Sequence, residues 1–230
     1  MPSEGTMILV TGGEKGGTGK TMLATNLAVC FAREGKRVKL IDADSQGSSA
    51  RWATKRAALE QASLPFIPWS MLRDSVYFAV REESRHYDVV LVDAGGADTE
   101  EFETALAAAD CLITPVMPSD CDIATLEHIE SLAARIVGSG RPLKSHVVLN
   151  HVSNHVANEE ADEARAVLAD FRSLRVADSL IHTRKSFRDA FKARLSVVEC
   201  ADTLDRRARL SHAKAAEEVW AIYKEVMGNV

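Results

Sequence analysis

Two lysines, five glycines and a closing threonine share one short stretch near the start of the chain: Gly12-Gly13-Glu14-Lys15-Gly16-Gly17-Thr18-Gly19-Lys20-Thr21. Backbone with so few side chains can curl its N–H groups around an oxyanion, and a helix starting there adds the positive end of its dipole. The flanks suit that use, because Met7 to Val10 is an apolar strand-like run and 22–32 reads as a helix. In this setting Lys20 reaches the β- and γ-phosphates of a nucleotide, and the Thr21 hydroxyl sits on Mg²⁺. The strict spacing G-x-x-x-x-G-K-[ST] fails by one residue, since Glu14 stands where the first Gly belongs. The pattern K-G-G-x-G-K-[ST] fits instead and makes Lys15 a second phosphate-side lysine.

Carboxylates that could serve such a loop follow at two places. A second apolar run ends in Ile41-Asp42-Ala43-Asp44-Ser45-Gln46-Gly47, and a third, Val89-Val90-Leu91-Val92, ends in Asp93. In a doubly wound sheet the carboxyl ends of the strands line the ligand crevice, so all three aspartates point toward the phosphate loop. Of Asp42 and Asp44, one can hold Mg²⁺ through water while the other orients the water that attacks the γ-phosphate. Asp93 has the place of a Walker B carboxylate, and Ala94-Gly95-Gly96-Ala97 after it forms a flexible loop able to sense the γ-phosphate.

Positioning these groups requires strands alternating with helices, the signature of a parallel sheet covered on both faces. Strands are expected over 7–10, 37–41, 88–92, 111–116, 145–149 and 174–176, with an added edge strand over 64–69. Helices are expected over 20–33, 46–62, 71–85, 100–108, 123–137, 159–171 and 208–227. The expected fold is α/β, a doubly wound, mostly parallel sheet flanked by helices, as in P-loop NTPases. A chain of 230 residues suits one such domain over 1–230. Cys30, Cys111, Cys121 and Cys200 are scattered without a C-x-x-C pair and read as reduced, buried thiols of a cytoplasmic protein. No apolar run approaches a membrane span. His146, His151 and His155 lack the Cys or carboxylate that would complete a transition-metal set.

These motifs together resemble the ParA/MinD family of ATPases with deviant Walker A boxes, over nearly the whole chain. Lys15 to Thr21 is similar to the family's signature loop, Asp42 to Ser48 to its switch I segment, and Val89 to Gly96 to its Walker B strand and switch II. Thr114 to Ile123, Val148-Leu149-Asn150 and Arg184 to Glu199 resemble later family segments, the last one that of the short plasmid-partition ParA (ParF-like) proteins. Ser45, Met22 and Ala94-Gly95 depart from the residues common there. The resemblance implies ATP and Mg²⁺ as ligands and a homodimer formed on ATP. It implies nucleotide contacts from Glu14, Lys15, Gly16, Gly17, Thr18, Gly19, Lys20, Thr21 and Met22, with Asn150 facing the adenine. Catalytic roles fall to Lys20, to Lys15 acting across the dimer interface, and to Asp44, which polarises the attacking water. Mg²⁺ falls to Thr21, Asp42 and Asp93, partly through water.

Non-specific DNA is the implied partner surface. Net charge is −5, yet residues 172–214 carry eleven Lys/Arg against five acids, leaving −11 on the remainder. A basic face of that kind tracks phosphates without reading sequence. Arg184, Lys185, Arg188, Lys192, Arg206, Arg207 and Arg209 are the candidates. With the first strand starting near residue 7, no N-terminal helix-turn-helix extension is expected. The implied activity is DNA partition: an ATPase on the nucleoid, stimulated by a ParB-like centromere-binding adaptor. Two alternatives are a MinD-like spatial regulator on a membrane and a VirC1-like nucleotide-switched scaffold for DNA transfer. The membrane reading needs a basic amphipathic tail. Residues 215–227 carry three acids against one Lys, with Trp220, Tyr223 and Met227 at the spacing of a core face.

Overall fold

Side chains along β1 (Met7–Thr11) alternate between two cores: Met7 and Leu9 enter one, Ile8 and Val10 the other. That period of two is what a strand buried on both faces must show. The computed structural model describes residues 5–59, 65, 67–72, 76–119, 125–153, 157–203 and 206–228, without the side chains at 157–158, 201–203 and 206–209. Within these residues β1 is joined by β2 (Val38–Ala43), β3 (Trp69–Met71), β4 (Val89–Ala94), β5 (Cys111–Val116), β6 (Lys144–Leu149) and β7 (Arg175–Val176). All pairs are parallel, in the order β3-β2-β4-β1-β5-β6-β7. The expected doubly wound α/β sheet is present.

Helices α1 (Lys20–Arg33), α2 (Ser48–Ala57), α3 (Val76–Glu83), α4 (Glu100–Ala108), α5 (Leu126–Gly138), α6 (Ala157–Leu168), α7 (Lys185–Lys192), α8 (Val197–Thr203) and α9 (Arg206–Gly228) cover the two faces. The edge strand begins where the sequence pattern had it ending; residues 64 and 66 lie outside the described ones. With Met71 in that strand, the following helix starts later, at Val76. Two helices that the pattern did not show, α7 and α8, occupy the basic segment. Helix α7 exists by tertiary packing, since it buries Ser186, Phe187 and Ala190.

The tail helix closes the α1 side of the sheet. Tyr223 is buried, meets Phe31 edge-to-face at 4.9 Å, and contacts Trp220 at 5.2 Å. Its aromatic face is therefore core. Two buried links tie the switch side of the molecule to α8. Asn26 of α1 donates to the Met22 carbonyl at 2.7 Å and accepts from Ser196 Oγ at 2.8 Å and Val197 N–H at 3.0 Å. Arg56 of α2 donates to both oxygens of Glu199 and lies over the Trp52 ring.

Candidate nucleotide site

The loops after β1, β2, β4 and β6 converge at the carboxyl ends of their strands. The first runs from Gly12 into α1, with Gly17 at φ 81° and Gly19 at φ 105°, backbone that suits glycine. Close approach constrains it too. A Cβ on Gly12 would lie 2.1 Å from the Phe102 ring of α4, and one on Gly19 would lie 2.1 Å from Asn150 Nδ2. Asn150 is buried at the end of β6 and donates Nδ2–H to the Thr18 carbonyl at 2.6 Å. Its amide therefore clamps the loop, in addition to forming the cavity wall where the resemblance placed it against adenine.

Lys20 is buried, and its ammonium donates to the Lys15 carbonyl at 2.6 Å. Burial lowers its pKa, opposed by the charges of Asp44 and Asp93. Thr18 Oγ1 also donates to the Lys15 carbonyl, at 3.4 Å. Glu14 and Lys15 are half-buried on the loop's bend, and the Glu14 carbonyl lies near Gly96.

Strand register sets Asp42 directly beside Asp93. Asp42 is fully buried and accepts from Asp44 N–H at 3.1 Å and from Ala50 N–H at 2.7 Å, in the first turn of α2. It therefore ties the switch turn and the helix behind it to the sheet, a job the metal reading did not show. Asp93 is also fully buried, and neither of its oxygens has a partner at hydrogen-bonding geometry among the described residues. Burial, then the charge of Asp42, pushes its carboxyl up to about 7. The hydroxyls of Thr21 and Ser49 face it from outside that geometry and temper the rise. Asp44 accepts from Gln46 N–H at 2.9 Å, and a Cβ on Gly95 would stand 3.6 Å from its carboxylate, so the two switch loops touch.

Orphaned buried oxygens beside a threonine at the head of α1 fit a hydrated Mg²⁺ brought in on nucleotide phosphates. Thr21 and Asp93 would hold it, and bound there the ion supplies charge neutralisation at the phosphates. No group of three His, Cys, Asp or Glu among the described residues is placed to hold a metal unaided.

From the loop a cavity of about 690 Å³ extends past Met22, Asp44 and Asn150 to His182, Thr183 and α7. Its phosphate end carries Gly16, Gly17, Gly19, Lys20 and Thr21. The far end carries Phe187 and Phe191 with the exposed Arg188 and Lys192. Residues 8–197 match the family model of the CobQ/CobB/MinD/ParA nucleotide binding domain. The chain belongs to this family and is a ParA/MinD-family ATPase. The protein named maintenance of carboxysome distribution protein A from Gloeobacter kilaueensis is 32% identical over 206 residues, covering 89% of this chain and 90% of that one. The protein of the same name from Halothiobacillus neapolitanus is 28% identical over 232 residues, covering 99% of each. Among solved structures, the ATP complex of a Cyanothece McdA variant has a TM-score of 0.74 at 16% identity, covering 97% of each chain, a likeness of fold.

The basic candidates divide on this ATPase. Arg188 and Lys192 are exposed on α7 and line the cavity mouth. Lys185 is exposed beside Asp189 at 3.6 Å. Arg184 differs: its guanidinium is held by Glu218 of α9, and both side chains are mostly buried. Arg206, Arg207 and Arg209 lie on α9, with side chains outside the described residues, as does Cys121. Cys30, Cys111 and Cys200 are buried, and burial pushes all three thiols up. Among the described residues no helix is long and apolar enough to cross a membrane.

Proposed function

We propose that this chain is a DNA-tethered positioning ATPase: it dimerises on ATP, binds DNA non-specifically as the dimer, and lets go after hydrolysis stimulated by an adaptor on its cargo. Helix α7 carries the reading. Its apolar side contributes Phe187 and Phe191 to the nucleotide cavity, while Arg188 and Lys192 stand exposed at the mouth of that cavity. One short element thus touches both ligands, so filling the cavity can bias the presentation of the cations. Two such patches joined in a dimer raise each other's effective concentration on a duplex. Lys15 serves the partner's phosphates, Lys20 and Thr21 their own, Asp44 holds the attacking water, Asp93 and Thr21 take the metal side, and Asp42 holds the switch turn behind them.

Cargo follows from similarity. Two relatives matched over nine-tenths or more of their length are named for carboxysome distribution, which favours a protein assembly over a plasmid as what the adaptor carries. The nucleoid is the site of action while ATP is bound, and the cytoplasm otherwise. A membrane role has little support, because the tail that would anchor it buries Tyr223 and Val226 in the core.

The test is a titration of a non-specific duplex with ATP, ADP or no nucleotide, at two salt concentrations. Binding that requires ATP, weakens steeply with salt and disappears in Lys15→Ala is the expected result. Binding that ignores nucleotide, or no binding at all, would refute the tethering mechanism.

A further inference from the structure

The far wall of the nucleotide cavity is a loop, residues 177–184, between β7 and α7. One edge is sewn to the exit of β6: Ile181 N–H donates to the Leu149 carbonyl at 2.9 Å, Thr183 N–H to Val152 at 3.0 Å, and Thr183 Oγ1 to His151 at 3.0 Å. The other edge hangs on two glutamates of α9. Glu218 accepts the His182 N–H at 3.3 Å, its Oε1 lies 2.7 Å from His182 Nδ1, and the carboxylate takes Arg184 Nε at 3.0 Å and Nη2 at 2.5 Å. Two turns on, Glu225 accepts Asp178 N–H at 2.8 Å and Ser179 N–H at 3.0 Å.

These clamps differ in what they hold. His182 and Arg184 both line the cavity, whereas Asp178 and Ser179 do not. The phosphate end is built from other elements, the loop before α1 and the β2 exit. We infer that Glu218, reached through His182 and Arg184, is a positioning residue that sets affinity for the part of the nucleotide beyond its phosphates. The inference rests on reading this cavity as the nucleotide site. Charge-assisted hydrogen bonds to a mostly buried carboxylate are strong, and losing that charge loosens the wall from α9 while its β6 edge stays sewn.

The experiment compares wild type, Glu218→Gln and Glu225→Gln by calorimetric titration with Mg-ATP and with tripolyphosphate, which shares only the phosphate chain. In Glu218→Gln, ATP binds about tenfold more weakly and KM rises by the same factor with kcat held, because the lost contact acts on binding alone. Tripolyphosphate affinity stays as in wild type. Glu225→Gln lowers the melting temperature but leaves both affinities unchanged. Should Glu218→Gln fold poorly, Arg184→Gln approaches the same contact from the other side and gives the same split. Unchanged ATP affinity in Glu218→Gln overturns the proposal, as does equal weakening of both ligands, the mark of general loosening. If tripolyphosphate fails to displace ATP from wild type, the nucleotide reading of the cavity falls, and the wall proposal falls with it.

Discussion

Asp42 and Asp93 stand side by side on adjacent parallel strands, and only Asp42 is supplied with backbone donors for both oxygens. Two buried carboxylates at one level cannot both keep their charge cheaply, and the unequal donors decide which one yields. Asp93 yields, with its carboxyl raised to about 7.

That asymmetry separates stability from activity. Asp93→Asn removes a buried group that is costly to ionise, so the nucleotide-free protein at pH 8 gains stability on the order of a few kcal/mol. Mg²⁺-dependent hydrolysis falls by at least about tenfold in the same variant. Urea unfolding and phosphate release, measured on one preparation, check the pair. A variant both less stable and less active would show that Asp93 is a structural carboxylate.

Gly19 and Asn150 form a second test. Gly19→Ala must hold a side chain at φ 105° with its Cβ 2.1 Å from Asn150 Nδ2, costing about 2 kcal/mol or more and breaking the amide's bond to Thr18. Gly16→Ala, where nothing lies within 4 Å, leaves thermal stability unchanged. Melting curves of the two variants without nucleotide should differ by several degrees.

The strand, glycine loop and helix at the start of the chain were legible because their signals are local: glycines, two lysines and apolar runs within a few dozen residues. Asp42, Asp44 and Asp93 were legible as a group for the same reason. What Asp42 does with its oxygens was not, since its partner Ala50 belongs to a helix whose start no cap residue marks. Glu218 was readable only as one of three acids in 215–227. Its contacts, His182 and Arg184, lie 36 and 34 residues away and come near only through the sheet. Arg184 looked like its basic neighbours for the same reason, a charge whose partner sequence could not show. Helix α7 escaped notice because eight residues with four charged side chains on one face need burial of Phe187 to be helical at all.

His146 gives the pH dependence. It is buried on β6, and both ring nitrogens lack partners among the described residues. Burial lowers its pKa, Glu225 opposes this, and Arg175 and Lys144 add to it. The folded state thus binds the proton less readily than the unfolded chain does. Its contribution is fully present above about pH 6.5 and is lost as pH falls toward the lowered folded value. His146→Leu should flatten the decline in urea midpoint between pH 7.5 and 5.5. A decline parallel to wild type would assign the acid sensitivity to other groups.

Arg56 and Glu199 join α2 to α8 through a nearly fully buried ion pair. Removing one member, as in Glu199→Ala, strands the guanidinium and costs about 3–5 kcal/mol. The double variant Arg56→Met, Glu199→Leu costs much less than the sum of the single changes, because no buried charge is left alone. A double-mutant cycle by urea unfolding measures the difference, and additive losses would show that the pair is not coupled.

Arg184 and Arg188 lie four residues apart yet make opposite predictions. Arg188 is exposed, with no ion-pair partner among the described residues, so it is available to a DNA phosphate. Arg188→Ala should weaken duplex binding uniformly across sequences and lower the salt slope by about one, with thermal stability unchanged. Arg184 is committed to Glu218, so Arg184→Ala should leave the salt slope of the folded protein intact and lower the melting temperature instead. A salt slope that drops for Arg184→Ala but not for Arg188→Ala would mean that DNA pulls Arg184 away from Glu218. The basic face would then be assembled only when DNA binds.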